Sequence, residues 1–326
     1  MRTWRDIILM VGVLMDKKRT EDIYNYLTSF MGEIDFPLEA QETILDSLKK
    51  IIENATASEA FFAPIERYEK GEIDKLLPYI FKEKNSPLKR VKELTAVHEY
   101  TLDILLYLCA TPALEKRYEN KGLSRELFVS AMRDLKCKLI ECKKVYDVWG
   151  SFVAFWFDGW FDMTRYALGR LQFEIKKMFT FFFCGGKFIY PGKRFLNLHI
   201  PSSGALNHDE VLASYKQAYE FFAPQFKEKE ILFVTMSWLL FKEHKKMLPA
   251  ESNVVKFMND FKIVLNFKDP KNGDFWRVFN KNYDKKLTDF GAQTTMQKAY
   301  EKHIRKGKKM GGAIGAFIYD GETFKK

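Results

Sequence analysis

The stretch Phe195–Phe222, FLNLHIPSSGALNHDEVLASYKQAYEFF, decides the fold of the second half of the chain. Its first part alternates aliphatic side chains with other residues over Leu196–Ile200, and this two-residue period predicts a strand. Pro201 ends the strand because proline supplies no backbone donor to a neighbouring strand. The small residues Ser202-Ser203-Gly204 follow and predict a flexible, polar turn.

A helix is predicted directly after this turn. Asn207 is a preferred N-cap residue, and Glu210 three positions later is typical of a capping box. One face of the helix is apolar: Val211, Leu212, Tyr215, Ala218, Tyr219 and Phe222. The first turn of a helix carries backbone N–H groups without helical partners, and small residues before it let a phosphate approach. The stretch is therefore a candidate phosphate cradle, although serine and glycine are also common in ordinary strand-to-helix connections.

The composition is that of a globular protein with an aromatic-rich core. A chain of 326 residues has room for two domains or one large one, and 30 of its residues are phenylalanine. The formal charge of +10 favours anionic ligands without choosing between a nucleotide cofactor, nucleic acid and a lipid surface. We expect no nucleic-acid binding, because no basic stripe is interleaved with base-stacking aromatic residues.

The cysteines and the apolar runs predict a cytoplasmic protein with neither a metal site nor a membrane span. The four cysteines, Cys109, Cys137, Cys142 and Cys184, are too few and too scattered for a disulfide framework or a zinc site. The apolar run Ile7–Met15 is too short to span a bilayer and leads into charged residues instead of a cleavage site. We interpret it as the first core helix.

Residues 1–145 predict helices almost throughout. One helix opens after Pro37, a long one runs from Leu88 to about Cys109 and ends at Thr111-Pro112, and Ser124 caps a helix over Arg125–Val145. No catalytic constellation is evident in this half.

Strands alternate with helices in the second half. After the strand–loop–helix unit come a buried strand at Ile231–Leu240, a helix capped near Ser252, two strands at Ile263–Phe267 and Phe275–Phe279, a helix capped near Thr294 and a last strand at Ala313–Tyr319. The predicted fold class is α+β, with an all-α helical domain over residues 1–145 and a mixed α/β sheet domain over residues 146–326.

Four stretches of the second half resemble a family of bacterial two-domain acyltransferases. They are LGRLQFE (Leu168–Glu174), LHIPSSGAL (Leu198–Leu206), SWLL (Ser237–Leu240) and ESNVVKF (Glu251–Phe257). In that family a helical N-acyltransferase N-terminal domain precedes a GNAT-like C-terminal domain, so the resemblance covers nearly the whole chain. It implies an acyl-CoA co-substrate whose pyrophosphate lies on the loop between a strand and the next helix.

Carried over by position, the resemblance implies that the loop backbone contacts the pyrophosphate through Ser202, Ser203, Gly204, Ala205 and Leu206. The pantetheine arm would run along the strand edge at Leu198 and Ile200, with the thioester between that strand and Thr235–Trp238. The chain departs from the wider superfamily in two respects. Its loop has one glycine only, and Phe257 and Asp260 lie in the region that often carries a tyrosine acid.

Acyl transfer to an amine requires a base for the amine, donors for the oxyanion and a proton for the leaving thiolate. His199 is the best candidate base because it would flank the thioester and titrates near neutral pH, although a structural role on a buried strand is an equal alternative. Glu174 is a second candidate base or a paired carboxylate. Ser237 is a candidate acid for the thiolate or a hydroxyl satisfied by backbone. Arg170 either contacts an anion or pairs with Glu174 or Asp162, and pairing is the expected role.

The leading hypothesis is therefore a cytoplasmic acyl-CoA-dependent acyltransferase that acts on an unidentified small-molecule or peptide amine. The alternative is a catalytically inactive GNAT-like protein that binds a ligand without turning it over, which the atypical loop and the missing tyrosine motivate. The basic cluster Lys302–Lys309 either contacts the cofactor's phosphates or forms a solvated face at a helix end.

Overall fold

The computed structural model describes residues 17–326, so the helix predicted at Ile7–Met15 lies outside the described residues. Two compact units follow one another: the first ends at Thr164 and the second runs from Arg165 to Lys326. The helices of the first unit are α1 Lys17–Glu33, α2 Leu38–Ile52, α3 Ala55–Glu69, α4 Leu88–Thr95, α5 Glu99–Asn120, α6 Arg125–Tyr146 and α7 Asp158–Phe161. This part of the chain is all α, as predicted.

The long helix predicted from Leu88 to about Cys109 is two helices. Ala96 takes a left-handed conformation (φ 55°) at the C-cap of α4. The side chain of His98 then accepts a hydrogen bond from the amide of Tyr100 at 3.1 Å and caps the start of α5. His98 therefore has a structural role at a helix start.

The helix end predicted at Thr111-Pro112 is also wrong, because α5 continues through the proline to Asn120. Proline cannot donate to the carbonyl four residues before it, which is that of Leu108. The hydroxyl of Thr111 donates to this carbonyl at 2.6 Å and replaces the missing bond. A threonine directly before the proline thus lets the helix pass through.

The second unit is built on a mixed sheet. Its strands are β1 Arg165–Leu168, β2 Leu171–Lys177, β3 Phe182–Cys184, β4 Lys187–Ile189, β5 Arg194–His199, β6 Ile231–Ser237, β7 Lys262–Lys268, β8 Gly311–Tyr319 and β9 Phe324–Lys325. Its helices are α8 His208–Phe222, α9 His244–Met247, α10 Asn253–Asn259, α11 Phe275–Phe279 and α12 Thr295–Arg305. The main sheet has the order β1-β2-β5-β6-β8-β7, with β9 beside β8, and β3 and β4 form a separate hairpin.

The two faces of the main sheet differ. Helix α8 covers one face: Tyr215 of α8 packs on Phe233 and Phe317, whose rings stack 5.0 Å apart. On the other face the β3–β4 hairpin joins an apolar cluster with Leu232 and Val234 of β6. The buried strand predicted at Ile231–Leu240 is confirmed as the central strand β6, which ends at Ser237 and continues as a 3-10 turn.

The strand predicted at Phe275–Phe279 is helix α11. Its buried residues are Phe275, Val278 and Phe279, which follow helical spacing. An alternating strand would have placed Arg277 on the same face as the two phenylalanines, and this charged residue is exposed in α11. The charge was the signal that favoured the helix.

A buried histidine joins the segment after β6 to helix α12. Nδ1 of His244 lies 3.1 Å from the carbonyl of Leu239 and must donate to it, so Nε2 accepts from the hydroxyl of Tyr300 at 2.6 Å. Burial lowers the pKa of His244 to about 4 and outweighs the opposing hydrogen bond to Leu239. His244 is therefore a neutral structural residue at physiological pH.

We expect this residue to make the protein acid-sensitive. The unfolded chain takes up a proton near pH 6.5 and the folded chain only near pH 4, so the free energy of unfolding falls as the pH drops through this window. The difference corresponds to about 3 kcal/mol. Denaturant titrations between pH 4 and 7 should show a shallower pH dependence for His244→Gln than for the unmodified protein. Equal slopes would contradict the assignment.

Candidate active site

The site lies where the parallel strands β5 and β6 diverge. These strands pair in register at Leu196 with Phe233 and at Asn197 with Val234, although β5 continues to His199 and β6 to Ser237. Both strands keep their outer partners over this stretch, since His199 still pairs with Gln172 and Met236 with Ile314. A gap therefore opens inside the sheet, and by register His199 and Met236 face each other across it.

A histidine–carboxylate pair lies on the β5 side of the gap. Nε2 of His199 is 2.7 Å from Oε1 of Glu174, which lies on β2. The side-chain amide of Asn197 donates to the same oxygen at 3.1 Å. These residues share one face because Glu174 pairs with Asn197 across the two strands and His199 follows two residues later. The predicted residues His199 and Glu174 are thus brought together.

Glu174 is a buried carboxylate in a positive environment. The guanidinium of Arg165 is 3.6 Å from Oε1, and Nζ of Lys176 is 3.0 Å from Oε2. Burial opposes ionisation of the carboxyl group, but the hydrogen bond with His199 and the charge of Arg165 outweigh it and hold the pKa of Glu174 well below its usual range. Glu174 is therefore an ionised acceptor and a poor proton carrier at neutral pH.

His199, in contrast to Glu174, is held in its neutral form. Burial lowers the pKa of His199 and outweighs the hydrogen bond with Glu174, which acts to raise it. Because the ionised carboxylate of Glu174 only accepts, Nε2 of His199 carries the hydrogen. The lone pair of the neutral ring is then on Nδ1. This arrangement can take up a proton at Nδ1 while Glu174 stabilises the resulting imidazolium.

Arg170 holds the loop that leads from β5 into α8. Its guanidinium donates to three backbone carbonyls, those of Pro201 at 3.0 Å, Gly204 at 2.9 Å and Ala205 at 3.1 Å. The prediction that Arg170 pairs with Glu174 or Asp162 did not anticipate these contacts. Three charge-assisted hydrogen bonds from one planar group define the shape of the loop.

The three hydrogen bonds from Arg170 also orient the loop amides. In a trans peptide the N–H points away from the C=O of the same unit. With the carbonyls of residues 201, 204 and 205 turned toward Arg170, the N–H groups of Ser202, Ala205 and Leu206 point to the opposite side. Residues 202–205 are exposed, and Gly204 has φ +106°, a conformation that other residues rarely adopt. The loop thus offers several N–H groups beside the start of α8, the arrangement that binds anions.

The motif LGRLQFE has a structural explanation. Gly169 and Arg170 form the two-residue turn between β1 and β2, in which Leu168 pairs with Leu171. Gly169 has φ +67°, and a Cβ there would lie 2.6 Å from Oγ of Ser214 on α8. The same Oγ accepts from the amide of Arg170 at 2.6 Å. The glycine lets the turn approach α8, and this approach delivers Arg170 to the loop.

The remaining predicted residues occupy different places. Leu198 is buried on the α8 side of the sheet, and Ile200 is half-buried just beyond β5. Ser237 lies on β6, one residue beyond Met236, so its side chain points to the face opposite His199. Its Oγ accepts from the amide of Leu239 at 3.2 Å. The structure does not bring Ser237 to the His199–Glu174 pair.

Sequence reasoning missed Arg165 and Asn197 as members of the site. Their side chains lie beside Glu174 only because of the strand register, which pairs Arg165 with Glu174 and Glu174 with Asn197. Counting alternate residues back from His199 would have found Asn197.

Within residues 17–326, no helix has the length and apolarity needed to cross a membrane.

Comparisons with known proteins agree with this architecture. The model of the N-acyltransferase N-terminal domain family matches residues 25–163, and that of the GNAT-like C-terminal domain family matches residues 166–317. No curated protein matches the chain.

Several solved structures have the same fold. An acyltransferase in complex with decanoyl-CoA is 17% identical with a TM-score of 0.68, covering 92% of this chain and 93% of the other. An acyltransferase in complex with decanoyl-CoA and teicoplanin is 15% identical, with a TM-score of 0.66 and coverage of 96% and 98%. A mutant acyltransferase bound to octanoyl-CoA is 14% identical, with a TM-score of 0.67 and the same coverage. At these identities the likeness concerns the fold, and it agrees with the predicted fold class.

Proposed function

Since the chain belongs to the family in which an N-acyltransferase N-terminal domain precedes a GNAT-like C-terminal domain, we propose that it transfers an acyl group from acyl-CoA to an amine. The observation that carries this proposal is the His199–Glu174 pair at the edge of the gap between β5 and β6. A thioester lodged in this gap would meet a base on one side and a strand edge on the other.

We assign the binding of the CoA pyrophosphate to the backbone of Ser202, Ser203, Gly204, Ala205 and Leu206. Two features support this assignment: the N–H groups of the loop that point away from Arg170, and the start of helix α8 beside them. The pantetheine arm would follow the edge of β5 at Leu198 and Ile200 into the gap. Arg170 would act as a positioning residue, because it contacts the loop carbonyls and leaves the amides to the ligand.

In the proposed reaction, Nδ1 of His199 takes the proton of the acceptor amine as the nitrogen attacks the thioester carbonyl. Glu174 stays ionised and stabilises the imidazolium through Nε2–H. The tetrahedral intermediate then expels the CoA thiolate, which takes the proton from Nδ1 of His199 and so restores the neutral ring. Glu174 is thus proposed as the partner of the base. Ser237 was predicted as the acid for the thiolate, but it lies on the opposite face of the sheet and has no part in the proposed reaction.

The acceptor is proposed to be a small molecule or a peptide with a free amine. Teicoplanin is present in one of the solved structures and 10C-teicoplanin in another, so a glycopeptide belongs in the first acceptor panel.

The proposal is tested by calorimetric titration of CoA and acetyl-CoA into the unmodified protein and Gly204→Val. We expect micromolar binding by the unmodified protein and a loss of at least about tenfold in the variant, because valine disfavours φ +106° and the loop must rearrange. There is room for the new side chain itself, so the effect reports the backbone. An unchanged Kd in Gly204→Val would remove the loop from the proposed CoA site.

The second candidate function is a ligand-binding protein of the same fold without catalysis. The missing tyrosine favours it: in that region Asp260 accepts from His208 at 2.9 Å and from the buried Tyr215 at 3.3 Å. CoA binding without release of free thiol, in the presence of a broad amine panel, would favour this reading. Acyl transfer that is lost in His199→Ala would exclude it.

A further inference from the structure

An apolar strip continues from the gap across the face of the sheet that carries His199. It consists of Met236 on β6, Ile314 on β8, and Leu265 and Phe267 on β7. Register places them side by side, since Met236 pairs with Ile314, Ile314 with Leu265 and Phe267 with Gly312. A bulge at Val264 turns both Val264 and Leu265 toward this face.

The strip is uncovered in the described structure. The residues Met236, Leu265 and Phe267 are 69%, 54% and 37% exposed. Two residues further back along the strands the same face is buried, because Val234 and Ala316 lie under the β3–β4 hairpin. The strip is therefore the open end of a core cluster, and contiguous exposed apolar side chains are a candidate contact surface for an apolar ligand.

The strip starts at the position where the thioester would lie. Met236 is opposite His199 across the gap, so the β5 side of the gap carries the polar pair and the β6 side carries the apolar strip. A thioester between them has two substituents to place. The amine acceptor belongs beside the base, and an alkyl chain belongs on the apolar side.

We propose that this strip binds the acyl chain of a medium-chain acyl-CoA, and that Met236 and Leu265 set the preferred chain length. The inference rests on the proposed function and adds the substrate class to it. From β6 to β7 the strip crosses two strand spacings, ~10 Å, which accommodates an extended alkyl chain. Methionine at the entrance is a flexible residue that adapts to chains of different shape.

The test compares the affinities of CoA, acetyl-, butyryl-, hexanoyl-, octanoyl- and decanoyl-CoA for four full-length proteins. These are the unmodified protein, Met236→Ser, Leu265→Ser and the control Leu94→Ser, which changes an exposed leucine of the first unit. We expect the Kd of the unmodified protein to fall by up to about fourfold for each methylene group that the strip buries. In the two strip variants the Kd should depend less on chain length, while their Kd for CoA itself stays within twofold of that of the unmodified protein. For the control, every Kd should stay within twofold of the unmodified protein.

The outcomes separate the two proposals. Absence of CoA binding by the unmodified protein overturns the proposed function and this inference together. CoA binding without any dependence on chain length, or a dependence that both strip variants retain, overturns this inference alone.

Discussion

The His199→Ala variant is expected to retain CoA binding and to lose between about 10² and 10⁴ in kcat, the usual contribution of a positioned general base. The reason is that the neighbouring Glu174 is a poor substitute for the proton acceptor, since the charge of Arg165 and the hydrogen bond with Lys176 both favour its ionised form. The measurement is release of free CoA thiol at saturating donor, with Kd for CoA measured in parallel. Because burial lowers the pKa of His199 below 6.5, the unmodified enzyme should already have its base deprotonated at neutral pH. As the pH is raised from acid values, kcat/KM should therefore increase while His199 loses its proton, and it should level off below pH 6.5.

Glu174→Gln separates the positioning of the base from the base itself. The amide can still contact His199 but carries no charge to stabilise the imidazolium, so kcat should fall while the lone pair of His199 remains. Glu228→Gln is the matched control, because it makes the same change in an ion pair with Lys193 at 2.6 Å on the surface. If the control lowered kcat as much as Glu174→Gln, or if His199→Ala were fully active, the catalytic assignment would be wrong. Melting curves for each variant show whether a loss of activity comes from unfolding.

Arg170→Ala is expected to raise the Kd for CoA by about 10- to 100-fold, which corresponds to about 1.4 to 2.8 kcal/mol and is on the scale of one charge-assisted hydrogen bond. The loop would still contain its amides, but it would no longer hold them on one side. Calorimetric titration of CoA measures the effect directly. The turnover of bound donor at saturation should change much less than the affinity, which distinguishes a positioning residue from a catalytic one.

Arg170→Lys provides the sharper comparison. Lysine keeps the charge but has a single nitrogen, so it cannot contact three carbonyls with the geometry of a guanidinium. We expect a Kd close to that of the alanine variant. Arg277→Lys is the matched control, because Arg277 makes a local surface pair with Asp274 at 2.7 Å. A lysine variant with native affinity would show that charge alone matters at this position.

The local parts of the fold could be predicted from the sequence. The strand, loop and helix of Phe195–Phe222 were predicted from alternation, a proline and a capping asparagine, and Asn207 does cap α8 by accepting from the amide of Asp209. These signals act within a few residues of the structure that they specify. The same holds for the helix capped at Thr294, whose capping box with Gln297 is present.

The site residues that the sequence did not reveal depend on contacts that are distant in sequence, whereas the errors in helix bounds are local. Arg170 lies in a quoted motif, yet the carbonyls that it binds are 31, 34 and 35 residues away, and nothing local indicates them. The break between α4 and α5 was missed because it occurs at an alanine, which ordinarily favours the helix interior. The apolar strip was hidden for a further reason: in the sequence Met236 and Leu265 look like ordinary core residues, and only the structure of residues 17–326 shows that both are exposed.

The narrow seam between β5 and β6 also bears on how long the protein survives. Two register pairs join β1, β2 and β5 to β6, β8 and β7 at this seam, so a molecule that occupies the gap bridges both sides of the sheet. A ligand that binds only the folded chain stabilises it by RT ln(1 + [L]/Kd), about 2.7 kcal/mol at a concentration of 100 Kd. We therefore expect the melting temperature and the resistance to proteolysis to follow the supply of donor. Abundance of the protein would then report the metabolic state that feeds it.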